Sequence, residues 1–163
     1  MADERRAIGY FTEALPKWRA AKNVGGEAGT LNNLAMVHSA LGDQQKALEY
    51  LNQALALAKG LDDRGRLATT LNNFGTVYAI LGDSTSSLDY EKQALDLHRA
   101  VHDIPGEANA LTNLASEYRR AGNRRAALEN YEKALTLETQ AGVRRLQGVT
   151  LSQIAATYQE LGE

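Results

Sequence analysis

Apolar side chains recur along this chain at a spacing near 3.6 residues, and the whole arrangement returns about every 40 residues. Leu31, Leu34, Ala35, His38 and Leu41 form one stripe, matched by Leu71, Phe74, Gly75, Tyr78 and Leu81. The second stripe of the unit runs Ala47, Leu48, Leu51, Ala54, Leu55 and Ala58, then Ser87, Leu88, Glu91, Ala94 and Leu95. Between the stripes stand Gly42-Asp43, Gly82-Asp83 and Gly122-Asn123. Gly takes the left-handed conformation that ends a helix, and the Asp or Asn after it caps the next one. The pattern predicts helices over about 27–41, 44–60, 64–81, 84–101, 104–121, 124–141 and 144–161. Val and Ile are sparse and alternation never lasts, so no strand is expected. Such short connections make successive helices antiparallel neighbours.

The N-terminal stretch admits two registers. A shift of 40 aligns Ala14-Leu15 with Ala54-Leu55 but leaves Gly9 and Pro16 inside a helix. A shift of 33 aligns Trp18 with Leu51 and puts Gly9 in a turn and Pro16 early in the helix, where its missing N–H costs least. The second register predicts a short helix near 11–23 after only a stub of an earlier one. Trp18 then fills a packing position, or exposes part of its ring to another chain. Gly162-Glu163 starts another turn at the far end, as in a segment cut from a longer array or one whose ends are covered. The expected units are a shortened one over 1–26, repeats over about 27–63, 64–103 and 104–143, and a half repeat over 144–163. A unit of this kind buries its apolar face against its neighbours, so the fold class is an all-α solenoid of antiparallel helix pairs.

Composition narrows the function classes. The 163 residues carry 20 acidic and 18 basic side chains, a net charge of −2 that gives no global attraction to nucleic acid or anionic membrane. No cysteine is present, which excludes disulfides and thiolate metal sites. The N-terminus lacks the apolar run of a signal peptide or a membrane span, and a cytoplasmic protein is expected. The core is mostly Ala and Leu, with one Trp and two Phe, and small side chains let helices approach closely.

The order Leu111, Leu114-Ala115, Tyr118, Gly122, Ala127, Tyr131 and Ala134 resembles the tetratricopeptide repeat, and most of the chain follows the same order. The first unit has His38 in the Tyr place and Leu51 in the aromatic place; the second has Glu91 there. The period is longer than the family's common one. It resembles the long-repeat branch of kinesin light chains, Pins-like adaptors and bacterial regulatory proteins. The resemblance implies a right-handed superhelix that holds protein or peptide partners on its concave face, lined by the first helix of each pair.

On that face the resemblance places an asparagine ladder, Asn33, Asn73 and Asn113, accompanied by Asn32 and Asn72, with Met36 and Asn109 beside it. Asn is a poor interior helix former, so its repeated use asks for a reason. Either its amide clamps a peptide backbone, or the ladder sets the spacing between repeats. Arg119-Arg120 and Arg124-Arg125 form the strongest charge cluster, either a docking point for an acidic segment or a solvated edge. The Lys and Arg that some family members use to grip a terminal carboxylate are missing. His98 and His102 have the spacing of a metal pair, but no acidic residue completes a set. No catalytic constellation, metal site or cofactor motif is discernible. The expected function is a non-catalytic scaffold that binds an extended or helical segment through Asn32, Asn33, Met36, Asn72, Asn73, Asn109, Asn113, Arg119 and Arg120, with neither nucleic acid nor membrane as partner. The alternatives are self-association through the terminal helices, or an effector-sensing segment of a larger signalling or transcription protein.

Overall fold

The structure, a computed structural model, describes residues 2–162. Met1 and Glu163, the outer ends of the first and last expected units, lie outside the described residues. Eight helices follow one another: α1 (Ala2–Ala20), α2 (Val24–Ala40), α3 (Gln44–Gly60), α4 (Arg64–Leu81), α5 (Ser84–Ala100), α6 (Ile104–Arg120), α7 (Arg124–Gln140) and α8 (Arg144–Leu161). Each packs on the next, and no strand occurs among the described residues, which makes the chain an all-α solenoid. The first helices also touch along the stack, α2 with α4 and α4 with α6, whereas no comparable packing joins α3 to α5 or α5 to α7. The first helices are therefore drawn together along one side and the second helices splay apart on the other. That asymmetry curves the stack and makes the first-helix side the inner one.

Every turn is built alike. The residue at positions 22, 42, 62, 82, 102, 122 and 142 has positive φ, and only four of these seven are Gly; Lys22, Asp62 and His102 adopt φ of 53°, 52° and 57°. The next residue caps the following helix. Asn23, Asp43, Asp63, Asp83, Asp103 and Asn123 each accept a hydrogen bond from the backbone N–H three residues on, while Val143 has no side chain to do so. A cap of this type contributes about 1 kcal/mol.

The core is a series of small clusters, one per junction, as a solenoid requires. Leu51, Ala35, Ala47, Phe74 and Val77 form one, and Leu95, Ala110, Leu111, Leu114 and Ala134 another. Tyr78 stacks against Phe74 and Tyr90. His38, in the Tyr place, is buried with its ring 5.4 Å from that of Tyr50.

The N-terminal expectation is corrected. α1 is one unbroken helix from Ala2, with Gly9 and Pro16 in its interior, so the shift of 40 is the right register. Ile8, Phe11 and Leu15 lie on one face and pack with Leu31, Leu34 and Ala54. Losing one backbone hydrogen bond at Pro16, a cost of about 3 kcal/mol, is offset by burying that stripe. Phe11, not Trp18, occupies the position of Leu51. Trp18 instead lies flat against Gly26, where an added Cβ would come within 2.6 Å of the indole.

Candidate functional site

Three clefts follow one another along the inner side. The first, about 520 Å³, lies between α2 and α4 and is lined by Asn32, Asn33, Met36, Arg66, Thr69 and Asn73, among others. The second, about 200 Å³, lies between α4 and α6 and reaches down to α5. The third, about 390 Å³, is lined by Ser116, Arg119, Arg120, Gln153 and Glu160. A wider cleft, about 750 Å³, opens on the outer side between α3 and α5, lined by the half-buried Leu55, Tyr90 and Leu97 with the buried Leu71 at its base.

The expected asparagines divide into two groups. Asn33 and Asn109 are exposed and Met36 is half-buried. Asn32 is buried and bridges repeats: its Nδ2 donates to Thr70 Oγ1 (3.0 Å) and to the Ala28 carbonyl (3.2 Å). Its Oδ1 accepts from Asn73 Nδ2 at 3.0 Å. The ladder does not continue in this form. Asn113, the counterpart of Asn73, donates to Glu91 Oε1 at 2.8 Å instead of to Asn72. Asn72 is buried with its Oδ1 unpartnered, and the counterpart of Thr70 is Ala110, which has no hydroxyl. Asn32, Asn72 and the half-buried Asn73 and Asn113 thus belong to the repeat interfaces, whereas Asn33 and Asn109 reach the surface.

The arginines also separate. Arg120 donates to the Ala79 carbonyl (3.0 Å) and to Glu117 Oε1 (2.6 Å), tying α6 to α4. Arg119 and Arg124 both face Glu160, at 4.0 and 3.2 Å. Arg66 pairs with Asp63 at 2.9 Å and donates to the Gly25 carbonyl at 2.9 Å, across the first cleft. His98 and His102 are not a pair. His98 is buried with Nδ1 2.8 Å from Asp103 Oδ2, while His102 is exposed in the turn. Tyr158 is 37% exposed and is not the core residue its position suggests.

Sequence reasoning passed over the most unusual group. Glu91 stands in the place of Leu51 and is fully buried. Burial is the main cause that pushes its carboxyl up to about 9, the Asn113 amide pulls the other way, and the neighbouring Glu117 adds to the rise. Gly75, where the other units have Ala, leaves the room for it: a Cβ there would meet Glu91 Oε1 at 2.5 Å. The signal was present as an acid in an otherwise apolar stripe.

A tetratricopeptide repeat family model matches residues 2–60, 27–100 and 66–140. The chain belongs to the tetratricopeptide repeat family. Among solved structures it is similar to BtubC (BKLC) from P. vanneervenii, with a TM-score of 0.79 at 22% identity over 98% of this chain and 67% of that one. It is also similar to a signal transduction ATPase with numerous domains that carries a tetratricopeptide repeat sensor, from Pyrococcus horikoshii. There the TM-score is 0.82 at 20% identity, over 97% of this chain and 24% of the other. At these identities the likeness establishes the fold. No curated protein matches the chain. Tetratricopeptide repeats generally mediate protein–protein interaction, and repeats of this family are typically non-catalytic scaffolds. No described helix is long and apolar enough to cross a membrane.

Proposed function

We propose that the inner face, lined by α2, α4 and α6, binds a protein partner presented as an extended or helical segment, without catalysis. The observation that carries this reading is the run of clefts along the first helices, at successive junctions of one continuous surface. Exposed Asn33 and Asn109 and half-buried Met36 and Arg119 offer amide, thioether and guanidinium contacts along its length. Asn33 and Asn109 make no side-chain bond between repeats, whereas Arg119 also faces Glu160 of α8. The test is to capture the partner from the native cell and titrate it against a folded Asn33→Ala/Met36→Ala/Arg119→Ala variant. A loss of at least about tenfold in affinity, 1.4 kcal/mol, is expected; undiminished affinity would overturn the assignment of this face.

A second reading is favoured by α8, which exposes Leu151 (52%) and Tyr158 (37%) seven residues apart on one face. Such a face suits a second copy of the chain. Concentration-dependent light scattering should then show association that Leu151→Lys abolishes. A strict monomer at high concentration removes this reading.

A further inference from the structure

Ser87, Glu91 and Glu117 line the second cleft, and one buried atom of each, Ser87 Oγ, Glu91 Oε2 and Glu117 Oε2, finds no partner among the described residues. All three side chains are at most 2% exposed, so none reaches bulk water, and unmet buried polar groups are costly. The other oxygen of each carboxyl is already engaged, Glu91 Oε1 by Asn113 and Glu117 Oε1 by Arg120. Once Glu91 is ionised, what remains is a set of three single acceptors carried by residues that line a pocket of about 200 Å³. A guanidinium prefers to grip both oxygens of one carboxylate, and neither carboxyl has two to give. An ammonium carries three N–H donors around one compact charge and needs no planar fork. The pocket also exceeds the roughly 150 Å³ that accommodates a benzene-sized molecule, enough for the short alkyl stem behind an ammonium.

We propose that this pocket is a receptor for a primary ammonium group, held by Ser87 Oγ, Glu91 Oε2 and Glu117 Oε2 between α4, α5 and α6. The inference deepens the inner-face reading and rests on it, because the mouth opens between the first helices α4 and α6. Charge agrees with the assignment. Thr76, Ala79 and Ile80 supply no charge from α4, α5 supplies Glu91, and α6 supplies Glu117 and Arg120. Once Glu91 ionises, two carboxylates face a single guanidinium. Glu91 is neutral in the free protein at pH 7, its pKa being raised to about 9. An arriving cation favours the carboxylate, so Glu91 releases its proton to solvent as the ammonium enters. An alkylammonium remains charged up to about pH 10. Affinity therefore rises by about tenfold per pH unit below the free carboxyl's pKa.

The probe is n-butylammonium chloride, titrated into the full chain and followed by amide chemical shifts and by calorimetry in two buffers of different ionisation enthalpy. Saturable shifts centred on Thr76, Ser87, Asn113 and Ser116, uptake of about one proton by the buffer per bound amine, and tighter binding from pH 7 to 8.5 are expected. n-Butanol should give none of these, and n-butylguanidinium should bind more weakly. Glu91→Gln, close in shape to the neutral acid, should remain folded, abolish proton release and weaken binding by at least about tenfold; Glu117→Gln should weaken it as well. Absent saturation, equal binding of butanol, preferred binding of butylguanidinium, or an unaffected Glu91→Gln each overturns the proposal, a pocket filled by water only being the first of these. A blocked peptide with one central Lys distinguishes the sources. Binding by both probes identifies a partner's lysine side chain, and binding by the free amine alone identifies a small amine; either outcome upholds the pocket. If the pocket fails while partner capture still depends on Asn33, Met36 and Arg119, the inner-face reading stands and this inference alone falls.

Discussion

The junction joining α2 and α3 to α4 and the junction joining α4 and α5 to α6 share one backbone plan and differ in chemistry. At the first, Leu51 is fully buried against Ala35, Phe74 and Val77, and the polar layer above it closes through Asn73, Asn32 and Thr70. At the second, Glu91 replaces Leu51, Gly75 replaces Ala35 and Ala110 replaces Thr70. Asn113 turns inward to Glu91, and Asn72 Oδ1 is left unpartnered. The third unit closes the same position with Tyr131, whose hydroxyl lies 2.9 Å from Ser116 Oγ. One acid in a periodic frame has thus rerouted a hydrogen-bond network and opened a pocket. A solenoid tolerates this because each junction is stabilised by its own neighbours.

The comparison breaks most visibly with pH. The folded-state pKa of Glu91, about 9, lies above its ordinary value of 4.5. The folded form therefore binds more protons between those limits, and the stability associated with this group falls as pH rises through that window. Glu91→Gln removes the dependence. The variant should match the parent near pH 4 and exceed it by about 1.4 kcal/mol for each further pH unit until about pH 9. Denaturant unfolding across this range measures it, and a flat difference would mean that Glu91 ionises normally. Leu51→Ala, at the dry junction, should instead cost about 2–5 kcal/mol at every pH. A pH-dependent cost there would show that the two junctions are not separable.

Gly75→Ala sharpens the geometric side of the contrast. The new Cβ would lie 2.7 Å from Glu91 Cδ, so the buried carboxyl would have to shift from its place beside Asn113. A cost of about 1–3 kcal/mol is expected in the parent and should shrink in a Glu91→Leu background, where the site resembles the first junction. A double-mutant cycle reads the coupling. Additive costs would show that Gly75 is there for another reason.

The seven helices after α1 were legible because stripes and turns repeat, and each restatement corrects the noise in a single one. α1 was misread because Pro16 and Gly9 weighed more than the burial of Ile8, Phe11 and Leu15, a tertiary gain that local rules do not contain. The turns at Lys22, Asp62 and His102 carry no Gly, yet they take the same left-handed φ, imposed by helices packed on both sides. At the site, the asparagines were visible but their roles were not. Asn32 is a bridge only because Thr70, 38 residues on, lies opposite it. Asn113 differs from Asn73 only because of Glu91, and local sequence around either asparagine is silent on that.

The smallest effect separates those two asparagines. Asn73→Ala removes the bond to Asn32 Oδ1, and a neutral hydrogen bond of this kind contributes about 1 kcal/mol. The loss should be independent of pH, because no titratable group takes part in that bond. Asn113→Ala removes the one hydrogen bond that favours the charged form of Glu91. Its cost should therefore resemble that of Asn73→Ala at pH 6, where the folded carboxyl is neutral, and grow above pH 9, where the carboxylate loses its donor. Unfolding both variants at pH 6 and at pH 9.5 makes the distinction. Parallel behaviour would show that Asn113 serves repeat spacing alone, as Asn73 does; divergence at the higher pH would tie it to the acid it faces.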